Sequence, residues 1–284
     1  MSDKILVIGA TGNVGRRLVQ ILTGQGIAVK AASRQSAGYA GPQGAEAVDF
    51  DLDRPESYGP ALAGVSRAFV IARSGDAQPQ AVLNRFFDQA KEQGVGHVVF
   101  LTAAGVEMNE EVGLRKAERH LMASGLDYTI LRPTWFMQNF STGFIQPMIA
   151  QMGAIYLPAG DGKTSFIDAD DIAAVAAVAL TQPGHAGQAY TLTGGEALSY
   201  GEAAAIIAEV AGRPVGYVAI PNEAFRQSLV DNGWPAESAG FMAALFQPVE
   251  QGWAAAVSPA VAAILGRAPV TFRQFVEANA AAWK

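Results

Sequence analysis

The sequence predicts an α/β fold: a doubly wound parallel sheet with a smaller, mostly helical C-terminal lobe. Three observations carry this. Apolar runs of strand length recur at residues 4–8, 27–32, 45–49, 67–72, 97–102 and 126–131, with a seventh at 188–193. Helical patterns alternate with the first six, as parallel strands require, because each parallel return needs a crossover. A glycine-rich turn follows the first run directly. The expected strand order is 3-2-1-4-5-6, with the seventh strand added late.

The first unit is the most explicit. Ile5-Leu6-Val7-Ile8 reads as a buried strand, Gly9-Ala10-Thr11-Gly12-Asn13-Val14-Gly15 as the turn, and Val14, Leu18, Ile21 and Leu22 as the apolar stripe of a helix. Gly24 and Gly26 stop that helix before Ile27-Ala28-Val29 opens the second strand. In such a β-α-β unit Gly9 makes the tight turn, Gly12 lets the backbone approach a pyrophosphate, and Gly15 lets the helix pack closely on the sheet. The helix N-terminus presents free N–H groups and about half a positive charge to the phosphates. The spacing is G-x-x-G-x-x-G, and its place between strand and helix makes the unit a dinucleotide site of Rossmann-like type.

The end of the second strand selects the dinucleotide. An acidic residue there accepts from the ribose 2′-hydroxyl of NAD. The chain instead reads Lys30-Ala31-Ala32-Ser33-Arg34. A guanidinium grips a 2′-phosphate and the neighbouring Ser33 hydroxyl adds a hydrogen bond, so NADPH is the expected cofactor.

Ligands of such sheets sit outside the carboxyl ends of the strands. The candidate contacts are therefore Gly9 to Val14, Arg34, Asp51, Arg73 and Ser74, Thr102-Ala103-Ala104, and Arg132 to Phe136. After residue 132 the alternation ends. Ser199-Tyr200-Gly201-Glu202 is a capping box opening a helix to about Ala211, Thr271 to Gln274 opens another, and residues 221–250 read as helical with a break at Gly233-Trp234-Pro235. This predicts a dinucleotide-binding domain of residues 1–132 plus about 186–194, and a substrate-side lobe of about 133–185 and 195–284.

Composition narrows the partners. With 284 residues, 50% hydrophobic and 16% charged, the chain can bury a large core. A net charge of −6 without a Lys/Arg cluster argues against nucleic acid and anionic membranes and for a small molecule. The absence of cysteine excludes disulfides and thiol catalysis and suits an intracellular setting. No signal-peptide pattern precedes the first strand, and no apolar stretch nears the roughly 20 residues of a membrane span. The run Ala173 to Leu180 is too short, and a cytoplasmic protein is expected.

The three histidines, His97, His120 and His185, form no pair with metal-ligand spacing, so no metal is expected. Asp168, Asp170 and Asp171 read as the cap and first turn of a helix beginning near Ile172. Aromatic density rises in Trp135-Phe136-Met137-Gln138-Asn139-Phe140, just after Leu131-Arg132-Pro133. That segment reads either as an apolar wall beside a nicotinamide ring or as ordinary packing of a helix start. The candidate substrate pocket is Ala104, Trp135, Phe136, Phe140 and Phe166.

Gly9 to Gly15, Asp51-Leu52, Glu118-Arg119-His120-Leu121, the stretch Ser124 to Phe136, and Asp170-Asp171-Ile172-Ala173 together resemble the NmrA-like branch of the atypical short-chain dehydrogenase/reductases, over residues 4–284. The resemblance implies Thr11, Gly12, Asn13 and Val14 as pyrophosphate contacts, Arg34 as the 2′-phosphate contact, Asp51 and Leu52 near adenine, and Ala72 and Arg73 by the nicotinamide ribose. Thr102, Ala103 and Pro133 complete the candidate cofactor set.

Many short-chain dehydrogenases use Ser, Tyr and Lys, the lysine of Tyr-x-x-x-Lys preceding the Glu-x-x-Leu glutamate by four residues. Counting back from Glu118 puts Glu110 at the tyrosine position and Leu114 at the lysine position, and the strand-five serine position reads Thr102-Ala103-Ala104. Lys116 lies two residues further on, about 200° around a helix. Reducing a plain ketone here forgoes a positioned acid worth about 10² to 10⁴ in rate. A quinone, an iminium, a triarylmethane cation or an activated alkene takes hydride with little concerted protonation, and alignment is the remaining task. The expected function is NADPH-dependent reduction of such a planar, electron-poor acceptor without the triad. The alternative is a non-catalytic NADP(H)-binding redox sensor of the NmrA type. A third reading, an acid recruited from Tyr156, Tyr190 or Tyr200, has no spacing to support it.

Overall fold

In the computed structural model, which describes residues 3–73 and 75–283, each anticipated apolar run forms a strand, and Ser74 lies outside the described residues. The chain runs β1 (Lys4–Ile8), α1 (Asn13–Gly24), β2 (Val29–Ser33), β3 (Ala45–Asp49), α2 (Tyr58–Leu62), β4 (Val65–Ile71), α3 (Gln80–Glu92), β5 (His97–Leu101), α4 (Gly113–Ala123) and β6 (Asp127–Pro133). Next come α5 (Gln146–Met152), β7 (Ala154–Leu157), β8 (Lys163–Thr164), α6 (Ala169–Thr181) and β9 (Gln188–Leu192). Then follow β10 (Leu198–Ser199), α7 (Tyr200–Ala211), β11 (Gly216–Ala219), α8 (Asn222–Asp231), α9 (Ala236–Ala244), α10 (Gln247–Glu250), α11 (Ala260–Leu265) and α12 (Phe272–Ala278).

The main sheet has seven strands in the order β3-β2-β1-β4-β5-β6-β9, the doubly wound order with a late seventh strand. The pairs β1–β2, β1–β4, β2–β3, β4–β5 and β5–β6 are parallel, with Ile5 opposite Val29 and Leu101 opposite Leu131. Central strands such as β2 are buried along their whole length, as a parallel sheet covered on both faces requires. One crossover departs from the expected alternation. Between β2 and β3 the chain makes only a short 3-10 turn at Ser36–Gly38, because Gly38, Gly41, Pro42 and Gly44 punctuate a connection too short for a helix. The β3 edge is correspondingly exposed.

Phe50, Tyr58, Phe86, Phe87 and Phe100 pack in the core of this sheet, with Phe50–Tyr58 centroids 5.5 Å apart and Phe87–Phe100 edge-on at 5.3 Å.

The chain divides into two compact units, Met1–Pro133 with Ala169–Thr191, and Thr134–Asp168 with Leu192–Lys284. This corrects the expected boundary. Residues 169–185 were expected in the substrate lobe, but α6 packs against α1 in the first unit. Its composition explains why: Ile172, Ala173, Val175, Ala176, Ala177, Ala179 and Leu180 are all buried, and small residues let the helix lie close. Arg17 pairs with Asp170 at 3.3 Å, and Arg67 donates to the Leu180 carbonyl at 2.7 Å.

The second unit is built on short pairings, parallel β7–β11 and antiparallel β8–β10, around the buried rings of Phe140, Phe166, Tyr200, Phe225, Phe246, Phe272 and Trp283. Both anticipated capping boxes form, Ser199 with Glu202 at the start of α7 and Thr271 with Gln274 at the start of α12. Gly233-Trp234-Pro235 separates α8 from α9 as expected. Among the described residues no helix is long and apolar enough to cross a membrane.

Candidate functional site

The turn after β1 is built from missing side chains. Gly9 has φ +74°, the left-handed region in which glycine is strain-free. The Gly12 N–H donates to the Gly9 carbonyl at 2.9 Å and closes the turn. A Cβ on Gly15 would stand 2.1 Å from that same carbonyl oxygen, so only glycine lets α1 seat against the turn. No side chain caps α1, and its first turn holds no acidic residue. Thr11, Gly12 and Asn13 are exposed at this terminus, whereas Val14 and Gly15 are buried and face it with backbone only. An uncapped helix end with exposed N–H groups suits a pyrophosphate.

At the end of β2, Ser33 is buried and its Oγ has no hydrogen-bond partner. Arg34 is exposed and makes no ion pair among the described residues. A buried donor without a partner beside a free guanidinium fits a 2′-phosphate. Lys30, on the same strand, is spoken for: its Nζ donates to the Pro60 carbonyl at 2.8 Å, and burial pulls its pKa down.

The loop after β3 is held by its own groups. Asp51 accepts from the Asp53 N–H at 3.1 Å, and Leu52 offers its carbonyl to the Tyr58 hydroxyl, whose pKa burial pushes up to about 12. Arg73, after β4, pairs with Asp53 at 2.6 Å and with Asp76 at 3.7 Å. Ala72 beside it is half-buried.

The ends of β5 and β6 are crowded with charge. The ladder extends past β5, with Thr102 N–H on Leu131 at 2.8 Å and Ala104 N–H on Pro133 at 2.9 Å. Glu118 of α4 is fully buried beneath them. It accepts from Thr102 Oγ1 at 2.8 Å, from Arg132 Nε and Nη2 at 3.0 and 2.8 Å, and from Arg115 Nη1 at 2.9 Å. Two guanidinium groups and a hydroxyl thus satisfy one buried carboxylate, the condition under which such a charge is tolerated. The sequence reading missed this network. Its one local trace is Arg115 and Glu118 at i, i+3 on a helix, while Arg132 arrives from another element.

The positions of the missing acid and base are equally plain. Glu110, where a tyrosine was looked for, is half-exposed and bound by Arg115 at 2.9 Å and Arg119 at 3.1 Å, which hold its carboxyl below the usual carboxylate range. Leu114 packs against the core. Lys116 points elsewhere, to Glu111 at 2.8 Å.

In the second unit, Trp135 and Phe136 are half-buried. Trp135 stacks on Phe246 at 4.8 Å, and Phe136 bridges to Ile167. Phe140 and Phe166 were expected beside them in the pocket, and the structure corrects this: they are 0% and 2% exposed and pack edge-on at 5.1 Å. The 3-10 turn Met137–Phe140 carries Phe140 inward to Tyr200 and Phe272. Asp168 directly precedes α6 and accepts from Gln138 Nε2 at 2.8 Å. Of the tyrosines considered as acids, Tyr200 is fully buried, and burial drives its hydroxyl far above the usual phenol range. Tyr190 meets His185 Nδ1 at 3.0 Å. Among the described residues no group of three or more His, Cys, Asp or Glu is placed to hold a metal ion.

Comparisons with known proteins place the chain in a family. The model of the NmrA-like family matches residues 1–265. The chain is 37% identical to an NAD(P)H azoreductase of Xenophilus azovorans over 98% of this chain and 99% of that one. It is 31% identical to the festuclavine dehydrogenase of Aspergillus fumigatus over 98% of each. The crystal structure of the Citrobacter sp. triphenylmethane reductase complexed with NADP(H) superposes with a TM-score of 0.82 at 25% identity, covering 97% of this chain and 99% of that chain.

Proposed function

We propose that this chain, which belongs to the NmrA-like family, is an NADPH-dependent reductase that passes hydride to a planar, electron-poor conjugated acceptor. The protein is an oxidoreductase of the kind its relatives represent. The observation that carries the finer reading is the strand-five end. No tyrosine or lysine stands at the triad positions, and the groups that do, Glu110 and Leu114, have no proton to offer an alkoxide. Such a site suits an acceptor that needs no acid in the transition state. The azoreductase and the triphenylmethane reductase are named for conjugated, dye-like substrates, which supports the same class.

The proposed roles are those the resemblance implies, and the uncapped α1 N-terminus and the partnerless Ser33 Oγ support them. The backbone from Gly9 to Gly15 and the N-terminus of α1 would cradle the pyrophosphate, and Ser33 and Arg34 would hold the 2′-phosphate. Asp51 and Leu52 would meet the adenine side, Ala72 and Arg73 the ribose side, and Thr102, Ala103 and Pro133 the nicotinamide end. When bound, NADPH supplies the hydride. Ala104 is the residue of the first unit assigned to the acceptor, where aligning two flat partners is the main task.

The test is direct. Purified protein with NADPH is offered quinones, cyclic iminium salts, cationic dyes and enones while the absorbance of the reduced nicotinamide is followed. Turnover of at least one class is expected. Tight NADPH binding with no acceptor reduced would leave the redox-sensor reading in its place.

A further inference from the structure

A carboxylate stands beside the end of β2. Ser33 is in register with Asp49 of β3, and the Phe50 N–H donates to the Ser33 carbonyl at 3.0 Å. Residues in register on parallel strands share a face of the sheet, and successive residues alternate faces. The preceding pair, Ala32 and Val48, packs with Phe50, Tyr58 and the helices α2 to α4. Ser33 and Asp49 therefore share the opposite face, on the side of α1. Ser33 is buried with its Oγ unpartnered, whereas the Asp49 side chain is 51% exposed and open to a ligand.

Asp49 is not a bare charge. Arg54 Nη2 donates to Asp49 Oδ2 at 3.1 Å, and Arg54 Nε lies 3.7 Å from Asp51 Oδ2. One guanidinium shared between two carboxylates neutralises Asp49 only in part. The ends of β2 and β3 thus hold opposite groups side by side. The Ser33 hydroxyl and the Arg34 guanidinium suit a 2′-phosphate, while the Asp49 carboxylate suits a 2′-hydroxyl, from which it can accept, and repels a phosphate. Lys30 takes no part, since it lies on the face of Ala32 and donates to the Pro60 carbonyl.

We infer that the Asp49–Arg54 pair sets the balance between NADPH and NADH: Asp49 accepts from the 2′-hydroxyl of NADH, and Arg54 screens Asp49 so that the 2′-phosphate of NADPH is tolerated. This rests on the placement of the 2′-phosphate at Ser33 and Arg34. Asp49 is the contact to the nucleotide, and Arg54 is a positioning residue that acts through it. In an NAD site an acidic residue after the second strand does this work. Here the carboxylate comes from the third strand, and its pairing with Arg54 keeps it from excluding the phosphorylated nucleotide.

The test is titration calorimetry with NADPH and with NADH on the parent, Asp49→Asn, Arg54→Ala and the double variant, with Arg34→Ala alongside. The parent is expected to bind both nucleotides. The readout is the ratio of the two affinities, because the adenine side, Asp51 included, serves both alike. Asp49→Asn should raise the NADPH-to-NADH ratio about fivefold and Arg54→Ala should lower it about fivefold, the worth of one solvent-screened charge at close range. In the double variant the loss of Arg54 should no longer move the ratio, since no carboxylate is left to screen. An unmoved ratio in Asp49→Asn overturns the inference, as does a parent that binds no NADH. An Arg54→Ala effect as large in the double variant as in the parent overturns it too, because Arg54 would then meet the phosphate itself. If Arg34→Ala weakens both nucleotides equally, the 2′-phosphate does not lie at Ser33 and Arg34, and that placement falls together with the inference. A selective Arg34→Ala beside an indifferent Asp49→Asn sinks the inference alone. Both side chains of the pair are about half-exposed, so the variants are expected to fold.

Discussion

At the turn after β1 the side chains have been removed, and at the ends of β5 and β6 they are packed together. Gly9, Gly12 and Gly15 leave a cradle lined by backbone, where a single added methyl on Gly15 would collide with a carbonyl 2.1 Å away. Beside Thr102, by contrast, Glu118, Arg132, Arg115 and Glu110 hold one another through a run of charge-assisted bonds. The first region is defined by close backbone approach and by an uncapped helix terminus. The second sets the direction of one hydroxyl by charge.

The sharpest way to break this contrast is Arg132→Ala. It leaves the fully buried Glu118 with one guanidinium where it had two, and a loss of about 3–5 kcal/mol in unfolding free energy is expected by urea denaturation. Gly15→Ala should cost about 3 kcal/mol by overpacking and should abolish NADPH binding, since α1 must retreat from the turn. If both variants keep parental stability, neither region is built as described.

Arg34→Ala separates binding from folding. Arg34 is exposed and unpaired among the described residues, so stability should not change. NADPH affinity should fall by about 2 kcal/mol, roughly thirtyfold, while NADH affinity barely moves, and equal weakening of the two would remove Arg34 from the 2′-phosphate. Titration calorimetry with both nucleotides decides it.

The smallest effect sits at the opposite end of β5. His97 Nε2 meets Thr129 Oγ1 at 2.9 Å, and Thr129 donates onward to the His185 carbonyl at 2.8 Å. Burial lowers the His97 pKa below its ordinary value, with Arg67 and His185 adding to the effect and Asp127 opposing it. The unfolded chain then binds a proton that the folded one refuses. Its contribution is fully present above the unfolded pKa of about 6.5 and is lost as pH falls through the folded value. Urea midpoints of the parent should drop on acidification through that window more steeply than those of His97→Asn, and parallel profiles would refute the assignment.

Much of the first unit was legible because its information is local. The strand runs and the glycine turn lie in consecutive residues, and the periodicity that marks them is the periodicity that buries them. The capping boxes at Ser199 and Thr271 were legible for the same reason. Three features were not. The placement of α6 depends on its packing against α1, and a helix apolar on nearly every side does not declare which neighbour it will choose. Phe140 and Phe166 look like Trp135 and Phe136 in a string of aromatics, and only the 3-10 turn separates those that face inward. The Glu118 network joins residues from β6, α4 and the end of β5, and no local sequence pattern links Arg132 or Thr102 to Arg115 and Glu118.

The return of Ala169–Thr191 to the first unit bears on how the protein is made. The nascent chain cannot finish its nucleotide-binding half when Pro133 leaves the ribosome, because the helix that covers α1 and the last strand of the sheet have not been synthesised. Thr134–Asp168 must be translated in between and wait for its own remaining partners from Leu192 onward. Neither half is therefore a stretch that can be cut out by simple truncation, and a shuffled or fused version of this reductase has to carry both segments of each half together.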